Sequence, residues 1–120
     1  MAAAGPSFLA LQVRDLQASA RFYEQHLGLT RAPVSPPHAV VFDTHPVPFA
    51  VREPAIDLDA VDKDKLGWGV VLWLKAENAD EIHDALADHG VPIVTSPFDG
   101  PFGRTFAFAD PDGYTVTLHS

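Results

Sequence analysis

Two stretches of this chain carry the same punctuation. Asp15 opens an apolar series, Leu16, Ala20, Tyr23 and Leu27, that stops at Gly28; Asn78 opens Ala79, Ile82 and Leu86, which stop at His89-Gly90. A short polar residue before helical spacing and a glycine after it are the marks of an N-cap and a left-handed C′ position. Cap and glycine are 13 positions apart in the first stretch and 12 in the second. A unit repeated at nearly fixed spacing restricts the chain to folds built from two copies of one supersecondary motif.

Strand signals surround both helices. Phe8 to Val13 alternates, with Leu9, Leu11 and Val13 on one face and Phe8, Ala10 and Gln12 on the other. Leu29 to Arg31 re-enters a sheet before Pro33, Pro36 and Pro37, which restrict that region to an edge or a loop. Ala39 to Asp43 and Phe49 to Arg52 complete the first copy as β-α-β-β-β. The second copy reads Trp68 to Leu74, the helix after Asn78, Val91 to Val94, and a closing hairpin. In that hairpin Asp110-Pro111-Asp112-Gly113 supplies the turn, Pro fixing φ, Gly allowing positive φ and Asp closing on its own backbone. Alternation puts Phe106, Phe108, Val116 and Leu118 on a core face, and Thr105, Ala107, Ala109, Thr115, Thr117 and His119 on the opposite one. The expected organisation is one domain, with module one at 6–54, a linker at 55–66 and module two at 67–120.

Composition excludes several functions. Sixteen acidic against eight basic residues give a formal charge of −8, which argues against nucleic acid or an anionic membrane as partner and suits a cationic ligand. The absence of cysteine rules out disulfides, thiolate nucleophiles and Cys-based zinc sites. Met1 to Pro6 lacks the basic flank and apolar run of a signal peptide, so a soluble, cytoplasmic protein is expected. No Gly-rich phosphate loop and no nucleophile-elbow serine occurs.

Three segments resemble the vicinal-oxygen-chelate superfamily of glyoxalases, extradiol dioxygenases and fosfomycin- and bleomycin-resistance proteins: Val13 to Leu29, Leu72 to Asp80, and Gly103 to Tyr114. The resemblance covers essentially the whole chain. It implies an α+β fold in which two β-α-β-β-β modules form curled mixed sheets, half-cups that close a cavity, with helices on the outer face. Metal-dependent members place ligands on the cavity side of both modules. Carried over by motif, those positions fall on Phe8, on Val51 or Arg52, on Val71 and on Thr117, none with a carboxylate or imidazole. The resemblance therefore implies no metal and no other cofactor, and points to the metal-free bleomycin-resistance-type binding proteins.

The histidines offer a substitute set. His38 and His45, with Asp43 or Glu53, would make an off-pattern metal site; His119 or Glu53 would serve as a general base in a metal-free enzyme. His26 and His89 fit helix C-termini, His83 an exposed helical face, and His119 a chain end. The expected ligand-binding set is Phe8, Ala10, Gln12, Trp68, Val71, Trp73, Phe102, Thr105 and Thr117, with Phe98 also near the rim. Phe8 and Trp73 would stack on the ligand while Gln12, Thr105 and Thr117 hydrogen-bond to it. The expected function is sequestration of an aromatic, cationic or peptide-like antibiotic or secondary metabolite by a homodimer. The alternative is a glyoxalase- or dioxygenase-type enzyme with a displaced metal site.

Overall fold

The computed structural model describes residues 2–120; Met1, part of the leader reading, lies outside them. The fold is α+β, with two helices and two mixed sheets of three and four strands. The chain divides into two compact units, residues 1–58 and 59–120. No helix among the described residues is long and apolar enough to cross a membrane.

In the first unit, β1 (Leu9–Gln12) leads into α1 (Leu16–Leu27), then β2 (Ala39–Phe42) and β3 (Phe49–Arg52). As expected, Asp15 caps α1, its carboxylate accepting from Ala18 N at 3.0 Å, and Gly28 ends it at φ 68°. The sheet order is β1-β3-β2, with β1 parallel and β2 antiparallel to β3. Register sets the faces: Leu9, Leu11, Phe49, Val51, Val40 and Phe42 share one side. There the buried Tyr23 ring of α1 meets Phe49 edge-on at 5.1 Å and Phe42 at 6.3 Å. The side away from the helix carries Ala10, Gln12, Ala50, Arg52, Ala39 and Val41.

The Leu29 to Arg31 segment is not a strand. It makes a single bridge, Arg31 to Phe42, flanked by Asp43 N donating to Thr30 O and Ala32 N to Val41 O, both at 2.8 Å. Pro33, which has no N–H, follows directly and stops the ladder.

The second unit starts with two 3-10 turns, of which Lys63–Lys65 is the second, and continues through β4 (Leu72–Lys75), α2 (Ala79–Asp88), β5 (Ile93–Gly100), β6 (Gly103–Ala109) and β7 (Thr115–His119). Sheet order is β4-β7-β6-β5, with β4 parallel to β7. The repeat is thus real at the level of topology: β1-β3-β2 followed by the Arg31 bridge matches β4-β7-β6-β5 element by element. A shift of 63 residues carries cap Asp15 onto Asn78, Ala10 onto Trp73 and Gln12 onto Lys75. Asn78 occupies the capping position but makes no side-chain cap hydrogen bond.

Two boundaries differ from expectation. Trp68 to Val71 lies outside β4, because Gly67 and Gly69 sit at φ 74° and 97° and curl the chain there. Conversely β5 runs on past Val94 to Gly100. Its register shifts between Ile93 and Thr95 and again before Phe98, so Pro97 falls in an irregularity that needs no ladder hydrogen bond.

The closing hairpin has the expected faces. Phe106, Phe108, Val116 and Leu118 are all buried and face α2. The Asp110 carboxylate accepts from the backbone N–H of Asp112, Gly113 and Tyr114 at 3.0, 3.0 and 2.9 Å. Gly113, at φ 103°, leaves room for Lys63, whose Cγ and carbonyl oxygen would lie 2.6 Å from any added Cβ.

Candidate functional site

On β4, β6 and β7 of the second sheet, the side away from α2 is composed by alternation, and register aligns its rows. Trp73 lies beside Thr117, which is opposite Ala107; Lys75 lies beside His119, which is opposite Thr105, itself opposite Phe98. Trp73 is 42% exposed. That exposure removes it from the core, where the chain already has Leu72 and Leu74 for the helix side.

Trp73 is the centre of an aromatic group. Its ring lies 5.8 Å from Phe102 at 80° and 5.6 Å from His119 at 60°. Phe102 comes from the β5–β6 turn and is fixed through its backbone, since His119 Nδ1 lies 3.1 Å from Phe102 O and 3.2 Å from Ser120 O. Carbonyls only accept, so Nδ1 carries the proton and Nε2 is the ring's remaining polar atom. His119 is therefore tied into the site, not a loose chain end. Phe98, in β5 rather than in a loop, crosses Gly100: a Cβ there would lie 3.0 Å from the Phe98 ring and 3.4 Å from Thr105 Oγ1.

The other expected site residues separate from this group to different degrees. Thr117 adjoins Trp73 in register. Thr105 is buried and its hydroxyl donates to Gly103 O at 2.9 Å, which occupies its donor. Trp68 sits on the turn before β4 with Lys65 Nζ 5.9 Å from its ring centre, and Val71 is an exposed residue of the same irregular stretch. In the first unit Phe8 is exposed just before β1, Ala10 is opposite Ala50, and Gln12 is opposite Arg52. Gln12 Oε1 accepts from Ala55 N at 2.6 Å, fastening the chain where it leaves β3. Sequence reasoning gave no role to Lys75 and undervalued His119, because the contact with Phe102 spans 17 residues and depends on hairpin register.

Arg104 lies on the opposite side of β6. Its Nε donates to Asp80 at 3.0 and 3.2 Å and its Nη1 to Asp99 at 3.3 Å. Hydrogen bonding to Asp80, with the attraction of both carboxylates, raises its pKa above the ordinary guanidinium value. The cation thus joins β5, β6 and the start of α2 and faces away from Trp73.

A metal fits poorly. Val51 is buried on the helix side between Leu11 and Val40, which corrects one of the two positions considered for a first-module ligand. Internal symmetry names Ala50 instead: Ala10 pairs with Ala50 as Trp73 pairs with Thr117. The corresponding positions are then Phe8, Ala50, Val71 and Thr117, a set without a divalent-metal donor of the usual kind. Among the described residues no group of three His, Cys, Asp or Glu is placed to hold a metal ion. His38 Nδ1 pairs with Glu53 at 2.7 Å and His45 with Asp43 at 3.6 Å, exposed pairs with no third donor. His89 Nδ1 donates to Ala85 O at 2.8 Å, as suits a helix end. His83 is not on an exposed face: its ring is half-buried, 5.3 Å from Phe106.

Two successive units of like topology, one with three strands and one with four, define the class of the protein. The chain belongs to the Glyoxalase/Bleomycin resistance protein/Dioxygenase superfamily, whose model matches residues 5–118. No curated protein matches it. Among solved structures, UcmS2 is 25% identical with 98% of each chain covered and a TM-score of 0.73. A protein of unknown function from Agrobacterium tumefaciens str. C58 is also 25% identical, covering 98% of this chain and 92% of that one, TM-score 0.72. The genomically encoded fosfomycin resistance protein FosX from Listeria monocytogenes is 18% identical over 98% and 93%, TM-score 0.73, a likeness of fold.

Proposed function

We propose that this chain is a metal-free binding protein that sequesters a flat aromatic small molecule, of the antibiotic or secondary-metabolite kind, against the Trp73 side of its second sheet. The observation that carries the reading is an exposed tryptophan with Phe102 edge-on and His119 tilted against it, on a fold whose positions Phe8, Ala50, Arg52, Val71 and Thr117 carry no carboxylate or imidazole. Rigid aromatics offer large contact area at low entropic cost, and each good stack adds about 0.5–1.5 kcal/mol beyond burial. The bleomycin-resistance branch of the superfamily name is consistent with such a role.

The protein acts as a homodimer in the cytoplasm on this reading. Trp68, Val70 and Val71 form an exposed apolar run, the kind of surface that favours a second copy. Light scattering during size exclusion measures the oligomeric state directly.

Binding is tested on a Trp68→Phe variant, which leaves Trp73 as the only tryptophan. Its emission should shift on titration with bleomycin-like, mitomycin-like or quinoxaline-type compounds, calorimetry should report matching heats, and Trp73→Ala should abolish both. Absence of binding across all three classes would sink the proposal, as would stoichiometric Fe, Mn, Ni or Zn in protein purified without chelators, which would favour the displaced-metal enzyme.

A further inference from the structure

The whole chain is acidic, with a formal charge of −8, yet the sheet face around Trp73 is not. Within the paired strands the residues on that side are Trp73 and Lys75, then Thr115, Thr117 and His119, then Thr105, Ala107 and Ala109, with Thr95 and Phe98 opposite them. No Asp or Glu occurs among them. Lys75 is exposed and has no ion-pair partner among the described residues, whereas Arg31, Lys65 and Arg104 each pair with a carboxylate.

Lys75 stands next to His119 in register, so the cation and the imidazole share one end of the face that Trp73 and Phe102 line. With Nδ1 engaged at Phe102 O, Nε2 is the imidazole atom left to meet a ligand. Of the other charged groups, Arg104, beside Thr105 on β6, points to the other side and is bound to Asp80 and Asp99, while Glu77, two residues past Lys75, makes no ion pair among the described residues and keeps its charge.

We propose that the ligand is a planar aromatic carboxylate, its ring against Trp73 and Phe102 and its charge met by Lys75. The inference rests on the binding reading above and reverses the preference for a cation that bulk acidity implies. Local charge decides, since exposed charges farther away than about 10 Å are largely screened.

The test uses three probes of one shape, naphthoate, naphthamide and naphthylmethylammonium, titrated calorimetrically at about 0.1 M ionic strength, where that screening holds. Naphthoate should bind about fivefold more tightly than the amide, the effect of about 1 kcal/mol for a good exposed ion pair, and the ammonium most weakly. Lys75→Glu should invert the order. Equal affinity for the three probes, or an unchanged order in Lys75→Glu, overturns the charge assignment and leaves aromatic binding standing. If none of the three binds, both readings fall.

Discussion

Replacing Asp110 with Ala removes a buried acceptor from three backbone N–H groups at once. The three losses differ. Asp112 is 3% exposed, so its N–H is stranded, at about 2 kcal/mol. Tyr114 is half-buried and its N–H can partly rehydrate, at about 1 kcal/mol. Gly113 N also donates to Asp110 O at 3.0 Å, so it keeps a partner and loses little. The total is about 3 kcal/mol, a large part of the roughly 5–15 kcal/mol that a domain has, and it corresponds to a melting-temperature drop of about 12 °C. Asp110→Asn keeps an oxygen in place and forfeits only the charge assistance, about 1 kcal/mol. Urea denaturation measures both. Because the Gly113 backbone lies against Lys63, loosening the turn should also speed hydrogen exchange at Lys65 N, which donates to Asp62 O. A loss below about 1 kcal/mol for Ala, or an equal loss for Ala and Asn, would refute the assignment of these bonds as the main role of Asp110.

Four further substitutions have defined outcomes. Ser19 is 1% exposed and its hydroxyl has no hydrogen-bond partner; Ser19→Ala should stabilise the protein by about 0.5–1 kcal/mol in the same urea assay, through better helix propensity and relief of an unpaired polar atom. Asp15→Ala should cost about 1 kcal/mol, whereas Asn78→Ala, at a helix start with no side-chain bond, should cost under about 0.5 kcal/mol. Gly67→Ala combines φ 74° with a Cβ 2.9 Å from the Tyr114 ring, and should lower stability by about 2 kcal/mol with a change in tyrosine near-ultraviolet dichroism.

The sequence was most legible where one physical period dominated. Strict alternation from Thr105 to Ala109 and from Thr115 to His119 predicts both faces of the hairpin, and the register matches, although burial also takes in Thr105 and Ala107 on the second face. Helix starts and ends were legible because Asp15 and Gly28 each answer a local demand, an unpaired N–H and a left-handed φ. Trp68 to Val71 was misread because its apolar run has no period of its own, and the two glycines that curl it have no side chain to signal the bend. Pro97 hid the second half of β5, since a bulge that absorbs a proline leaves no composition signal. At the site, the shared face of Trp73 and Thr117 follows from spacing; the tether from His119 to Phe102 does not, because it joins a strand end to a turn 17 residues earlier.

The internal repeat separates what the fold requires from what the site requires. Both helix-facing sides are large and apolar, with Phe42 and Phe49 against Tyr23 of the helix in one unit and Phe106 and Phe108 on the side facing the helix of Leu86 in the other, because each sheet must cover its own helix. The opposite sides are free of that demand and have diverged. At corresponding places Ala10 stands for Trp73, Ala50 for Thr117, Gln12 for Lys75 and Arg52 for His119. At the metal positions implied by the family resemblance and the internal repeat, Phe8, Ala50 or Arg52, Val71 and Thr117, both units lack a carboxylate or imidazole, while only the second carries an exposed aromatic group on its sheet. A metal site that had merely moved would leave a donor cluster somewhere on one of these sheets, and the strands hold none. On the proposed reading recognition lies in the second unit: exchanging Ala10 for Trp should leave affinity for an aromatic probe unchanged, while Trp73→Ala removes it, and a gain of binding in Ala10→Trp alone would show that the first sheet shares the site.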